Sequence, residues 1–152
     1  MILNNDGDLL FPSMYGTQVE MCNYAFLFSN VEASFREAIY KCCKINSQLA
    51  FVGGVSSVCA TDAYKMADIP YNVPYWTAFF TSPTNSSWRL CSGQPAIEQP
   101  VNSSINLFWD PKVDSNQTNS AALLYVVNAT SKSYVLRPQT LSTQTRHRFI
   151  CK

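Results

Sequence analysis

The sequence predicts an α+β fold in which two helices pack on small antiparallel sheets beside a long loop region. Three observations predict it. Helical periodicity is confined to the stretch between residues 29 and 66, only short apolar or alternating runs follow Pro74, and the polar stretch from Ser92 to Asn119 has no element of its own. With 152 residues, 47% of them hydrophobic and 13% aromatic, the chain has the material for one packed core. No internal repeat is visible, and we assign residues 1–20 to an N-terminal extension and 21–152 to the domain.

The elements follow in order. "VEMCNYAFLF" reads as a strand. "SNVEASFREAIYKCC" reads as a helix: Ser29 with Glu32 forms a capping-box pattern, and Val31, Phe35, Ala38, Ile39 and Cys42 recur at helical spacing. Glu32 with Arg36 and Glu37 with Lys41 add pairs four residues apart. "QLAFV" is a short strand. A second helix starts near Ser57, carries Val58, Cys59, Ala63 and Met66 on one face, and stops at "IPYNVP". "YWTAFF", "SSWRL", "AALLYVVN", "SYVL" and "HRFICK" are strands, and the long loop between them is of the kind that usually carries function.

Composition narrows the class of protein. The formal net charge is +1 and the basic residues are scattered apart from Arg146-His147-Arg148, so there is no footprint for nucleic acid. Only 14% of residues are charged, well under the roughly 25% of an average domain. Four Asn-x-Ser/Thr sequons, at Asn85, Asn102, Asn116 and Asn128, stand beside six cysteines, the combination expected of an extracellular glycoprotein. Glycans would supply the missing polarity. "MILNNDGDLL" has neither the basic start nor the apolar run of a signal peptide, and no window approaches a membrane span, so we expect a mature or excised piece with an added Met1.

The cysteines are Cys22, Cys42, Cys43, Cys59, Cys91 and Cys151, without a C-x-x-C pair or a partner histidine for His147, so zinc is not expected. Three disulfides are the natural expectation, with every pairing open at this point. The lone His147 also lacks the cysteine or serine context of a nucleophilic site, and no enzymatic role is expected.

"SSWRLCSGQP", residues 86–95, sets an indole beside a cysteine in a turn cluster. It resembles the W-x-W-x-D-G-x-P turn of the C-type lectin-like domain family through Trp88, Leu90, Ser92, Gly93 and Pro95. "YWTAFF" is similar to that family's W-I-G-L strand through Trp76, Ala78 and Phe79, "FREAIYKC" to its first-helix pattern through Phe35, Ala38 and Cys42, and "FICK" to its terminal F-I-C-E. The matches keep family order over roughly residues 20 to 152. The resemblance implies that Trp88 and Gly93 brace the entrance to the long loop and that Cys42 bonds Cys151. Cys43, about 100° round the helix, is expected to have another partner. The family's second disulfide has no counterpart, since its two ends would fall near Ala121 or Ala122 and near Ser142 or Thr143.

The resemblance also bears on calcium. Sugar-binding members hold Ca²⁺ through a proline-containing loop motif and a Trp-Asn-Asp strand, and Ca²⁺ wants six to eight oxygens. Here the loop motif falls at Val113-Asp114-Ser115 and the strand motif at "YVLRP", which offers Arg137 and no carboxylate. No cofactor or metal is therefore expected, and Asp110 and Asp114 are read as solvated loop carboxylates. The expected function is calcium-independent recognition of an extracellular protein, through Trp109, Asp110, Lys112, Asp114, Tyr134 and Arg137. Trp109 is read first as loop core and second as an exposed anchor. The alternative is a lectin that stacks sugar on aromatics such as Tyr134, or uses a non-standard calcium site.

Overall fold

The computed structural model describes residues 2–3, 9–10, 16–21, 24–45, 47–50, 65–66, 68–92, 97–100, 109–127 and 134–152. Eleven elements follow in chain order: β1 (Ile2–Leu3), β2 (Leu9–Leu10), β3 (Gly16–Met21), β4 (Tyr24–Ser29), α1 (Phe35–Lys44), β5 (Tyr75–Phe80), β6 (Arg89–Ser92), β7 (Ile97–Pro100), β8 (Ser120–Val126), β9 (Tyr134–Thr140) and β10 (Arg148–Cys151). The fold is α+β, as expected. The second helix expected from Ser57 lies outside the described residues up to residue 64, beyond which Met66 is buried and its carbonyl accepts from the amide of Ile69.

The expected first strand is a hairpin. Gly16 to Met21 pair with Ser29 to Tyr24, so the chain reverses between Met21 and Tyr24. Gly16 is required where it stands: its φ is +152° and a Cβ there would lie 2.1 Å from the carbonyl oxygen of Phe28. "QLAFV" contributes a bridge from Leu49 to Cys151. The stretch expected to lack structure after Ser92 contains β7, which pairs antiparallel with β6 from Ser92↔Ile97 to Arg89↔Pro100.

The sheet is mixed, not purely antiparallel. β4 pairs antiparallel with β10, while β10 runs parallel to β5 at Arg148↔Tyr75 and Phe149↔Trp76. β5 is the hub, pairing with β6 through Phe79 and Phe80 and with β8 through Tyr75, Trp76 and Phe80. β8 pairs in turn with β9 over its whole length. Because successive strand residues point to opposite faces, these strands build two cores at once. Phe26, Phe28, Tyr75, Leu124, Val126, Leu136 and Ile150 form one. Leu27, Trp76, Ala78, Ala121, Leu123 and Phe149 form the other, against Ala38 and Cys42 of α1.

α1 begins later than the sequence pattern suggested. Ser34 is its N-cap, and its hydroxyl accepts from the Glu37 amide at 3.2 Å. Ser34 and Glu37 have the same S-x-x-E spacing as Ser29 and Glu32, which lie outside the helix. Ser29 instead joins strands: its Oγ donates to the carbonyl of Val31 at 2.8 Å and accepts from the amide of Phe149 at 3.0 Å. Glu37 pairs with Arg146 at 2.9 Å and not with Lys41. The Glu37 carboxyl feels some desolvation, but the Ser34 hydroxyl and Arg146 outweigh it and hold it below the ordinary glutamate range.

Cys42 and Cys151 are disulfide-bonded across a separation of 109 residues, the pairing that the resemblance implied. In the chain-entropy picture such a closure contributes about 4–5 kcal/mol. Cys43, on the solvent side of α1, is an exposed free thiol, so three disulfides do not form. Any pairing of Cys22, Cys59 and Cys91 lies outside the described side chains. Trp76, fully buried, ties the same region together: its indole Nε1 donates to the carbonyl of Ala33 at 2.8 Å, and Phe35 meets its ring edge-on at 5.5 Å.

Candidate functional site

The loop-side site is built on the β8–β9 pair. Tyr125 stands opposite Val135 and Leu123 opposite Arg137, so Tyr125 and Arg137 are diagonal neighbours on one face. The Arg137 guanidinium lies 4.5 Å from the centre of the Tyr125 ring. On the far edge of β9 the chain returns at Trp109, which bridges in parallel to Leu136, and the Asp110 amide donates to the Leu136 carbonyl at 2.9 Å. This backbone contact delivers the Asp110 carboxylate to Arg137.

Asp110 is 7% exposed and fully engaged. Its Oδ1 accepts from the Lys112 amide at 3.0 Å, and its Oδ2 accepts from Arg137 Nε at 2.8 Å. The Lys112 amide, helped by the Arg137 guanidinium and opposed by desolvation, holds the Asp110 carboxyl below the ordinary aspartate range. Both carboxylate oxygens are thus committed to donors. Asp114 is exposed and its Oδ1 accepts from the Asn116 amide at 2.9 Å, closing a local turn. Lys112 is exposed beside it.

The loop is pinned by tryptophans. Trp88, just ahead of β6, donates its indole N–H to the Ser115 carbonyl at 2.9 Å and packs on Trp109 with ring centres 4.6 Å apart. Trp109 is half-buried and also packs against the core that contains Leu136. Trp88 therefore braces the loop; Gly93, expected to share that role, lies outside the described residues. Of the sequons, Asn85 and Asn116 are exposed, while Asn102 and Asn128 lie outside the described residues.

The site thus gathers Trp109, Asp110, Lys112, Asp114 and Arg137 but excludes Tyr134. Tyr134 is 3% exposed and sits in the core, where burial pushes its hydroxyl far above the ordinary tyrosine range. It stands three residues from Arg137, and an odd offset on a strand puts two side chains on opposite faces. Tyr134 cannot offer its ring to a partner or a sugar. Tyr125 lies on the opposite face of the strand pair, half-buried against the second core and under Arg137, and its signal in the sequence was an aromatic with a polar tip inside the apolar run "AALLYVV".

A fold of this kind raises the question of calcium. The described residues contain no group of three or more potential metal ligands. Asp110 points both carboxylate oxygens at a backbone amide and a guanidinium, Asp114 turns its Oδ1 to the Asn116 amide, and a cation near Arg137 would meet another positive charge. Among the described residues the donor set does not fit Ca²⁺.

No protein-family model matches the chain, and no curated protein matches it in sequence. Solved structures do match in shape. The C-type lectin domain of murine dendritic cell inhibitory receptor 2, in complex with N-glycan, superposes with a TM-score of 0.61 at 14% identity, covering 93% of this chain and 97% of that one. The mouse scavenger receptor C-type lectin carbohydrate-recognition domain gives 0.60 at 15% identity over 93% of this chain and 94% of that one. TC14, a C-type lectin from the tunicate Polyandrocarpa misakiensis, gives 0.52 at 15% identity over 83% of this chain and 94% of that one. The fold of this chain is the C-type lectin fold.

Proposed function

We propose that this chain is a calcium-independent extracellular recognition module that binds a protein partner through the loop side of the C-type lectin fold. The observation that carries this proposal is the Arg137–Asp110 ion pair at 2.8 Å, which puts a fixed guanidinium where a metal-dependent site would need open carboxylates. That side carries exposed Lys112 and Asp114 beside half-buried Arg137, Tyr125 and Trp109, a mixture of arginine and aromatics on which interface energetics tend to rest. The sequons support an extracellular setting, and among the described residues no helix is long and apolar enough to cross a membrane.

Millimolar Ca²⁺ is expected to leave the melting temperature unchanged, because an ion that does not bind the native state gives no linkage stabilisation. A calcium-dependent upward shift, abolished by chelator, would overturn calcium independence. Glycan recognition is the second reading, favoured by the N-glycan held by the murine receptor domain with the same fold. Against it, the two tyrosines of the β8–β9 pair do not present open faces: Tyr134 is buried and Arg137 covers Tyr125. A glycan array run with and without chelator separates the two, and a glycan hit lost in Arg137→Ala would move the function to sugar binding.

A further inference from the structure

We propose that the groove between the C-terminal half of α1 and strands β4 and β10 binds a free amphiphilic carboxylate, an alkyl chain ending in a carboxylate group. The groove encloses about 330 Å³ and is lined by Leu27, Val31, Ile45 and Phe149, with Lys41 and Lys44 as its polar members. That volume lies at the small end of the range for ligand sites. Leu27 and Phe149 are buried floor residues, while Val31 is 43% exposed and the two lysines reach solvent.

The lining selects the ligand class. None of the described lining side chains carries a hydroxyl, an amide or a carboxylate. A peptide laid in the groove would bring backbone amides that these side chains could not satisfy, whereas a hydrocarbon chain brings none. The charge complementarity is equally specific. Lys41 and Lys44 are three residues apart, hence neighbours on one helical face. Lysines in a last helical turn suit the helix dipole without any ligand. Here, however, the carboxylate one turn earlier is taken: Arg146 holds Glu37 at 2.9 Å, and Lys41 has no ion pair among the described residues. Lys44 rests its ammonium 4.8 Å from the centre of the Tyr40 ring, also without a carboxylate among the described residues. An apolar groove beside two ammonium groups without counter-ions among the described residues fits an anionic head on an alkyl tail.

The test is calorimetric titration of the full chain with dodecanoate below its micellar concentration. Saturable single-site binding is expected, weakened about tenfold or more in Lys41→Ala/Lys44→Ala through the loss of charge-assisted contacts. Val31→Asp should weaken it too, and both variants should melt near the parent. Dodecyltrimethylammonium should bind at least about tenfold more weakly than dodecanoate. The proposal is overturned if dodecanoate shows no saturable binding, if the cationic analogue binds equally well, or if the double variant keeps its affinity. It is also overturned if an acidic apolar peptide occupies the groove and dodecanoate does not. Because the groove shares no residue with the Asp110–Arg137 site, Arg137→Ala should leave dodecanoate binding intact, so failure here is distinct from failure of the loop-side function.

Discussion

The helix side and the loop side of this molecule solve the same problem, joining distant segments, by different means. On the helix side, Cys42 is bonded to Cys151, Ala33 and His147 exchange backbone hydrogen bonds of 2.8 and 2.9 Å, and the Trp76 indole reaches the Ala33 carbonyl in the core. On the loop side, the 109–119 segment is held to Trp88 and β9 by a half-buried pair of tryptophans, one indole hydrogen bond and one ion pair, besides backbone hydrogen bonds such as Asp110 to Leu136. Covalent and fully buried contacts are indifferent to salt and solvent. Half-buried polar contacts compete with both. The loop side can therefore be altered without unmaking the core, which suits the recognition role proposed for it.

The most disruptive way to break the comparison is to remove the covalent tie. Cys42→Ser/Cys151→Ser should cost about 4–5 kcal/mol in chemical denaturation, by the loop-closure estimate. A loss under about 1 kcal/mol would mean that the backbone bridges around Ala33, Leu49 and His147 anchor the chain end by themselves.

Breaking the loop side should cost less. Trp88→Ala removes a half-buried indole and its bond to Ser115, for an expected loss of about 2 kcal/mol. It should also erase the near-ultraviolet circular dichroism of the Trp88–Trp109 pair while leaving α1 amides protected from hydrogen exchange. A collapse of protection throughout the molecule would show that the two sides are one cooperative unit. Smaller still is the cap: Ser34→Ala should cost about 1 kcal/mol, seen as earlier fraying of the first turn of α1.

The smallest effect concerns pH. His147 Nε2 is buried without a hydrogen-bond partner among the described residues, and the ring meets Trp76 edge-on at 4.9 Å. Burial lowers its affinity for a proton below that of an ordinary histidine, although Glu32 pulls partly the other way. A depressed folded value means that the unfolded chain takes up protons first. Stability should be complete above the ordinary histidine range and fall as pH drops through it toward the lowered value. Melting curves between pH 7 and pH 5 should show this fall, and His147→Phe should flatten it. An unchanged slope in that variant would assign the effect to other groups.

How much of the fold was legible follows from the range of each signal. The strands β5, β8, β9 and β10 and the helix α1 are written in local patterns, apolar runs and a 3.6-residue period, that need no knowledge of the rest of the chain. A turn inside "VEMCNYAFLF" was missed because two short strands and one long one have the same composition. Two S-x-x-E patterns stood five residues apart, and only the packing of Ser29 against the Phe149 amide left Ser34 to be the cap.

At the candidate site the division is sharper. The sequence by itself determined that "YVLRP" carries a guanidinium and no carboxylate, and the resemblance it bears implied that this strand lies near the long loop and that Trp88 braces the loop's entrance. Only the tertiary structure decided that Arg137 takes Asp110, that Arg146 takes Glu37 from Lys41, and that Tyr134 is buried in one core while Tyr125 packs half-buried against the other. It also decided the parallel pairing of β10 with β5, which joins residues more than seventy positions apart. The physical reason is common to all four. Backbone periodicity is set by neighbours within a few residues, whereas the partner of a charge, the inward face of a strand and the direction of a pairing are competitions among groups that meet only after the chain has folded.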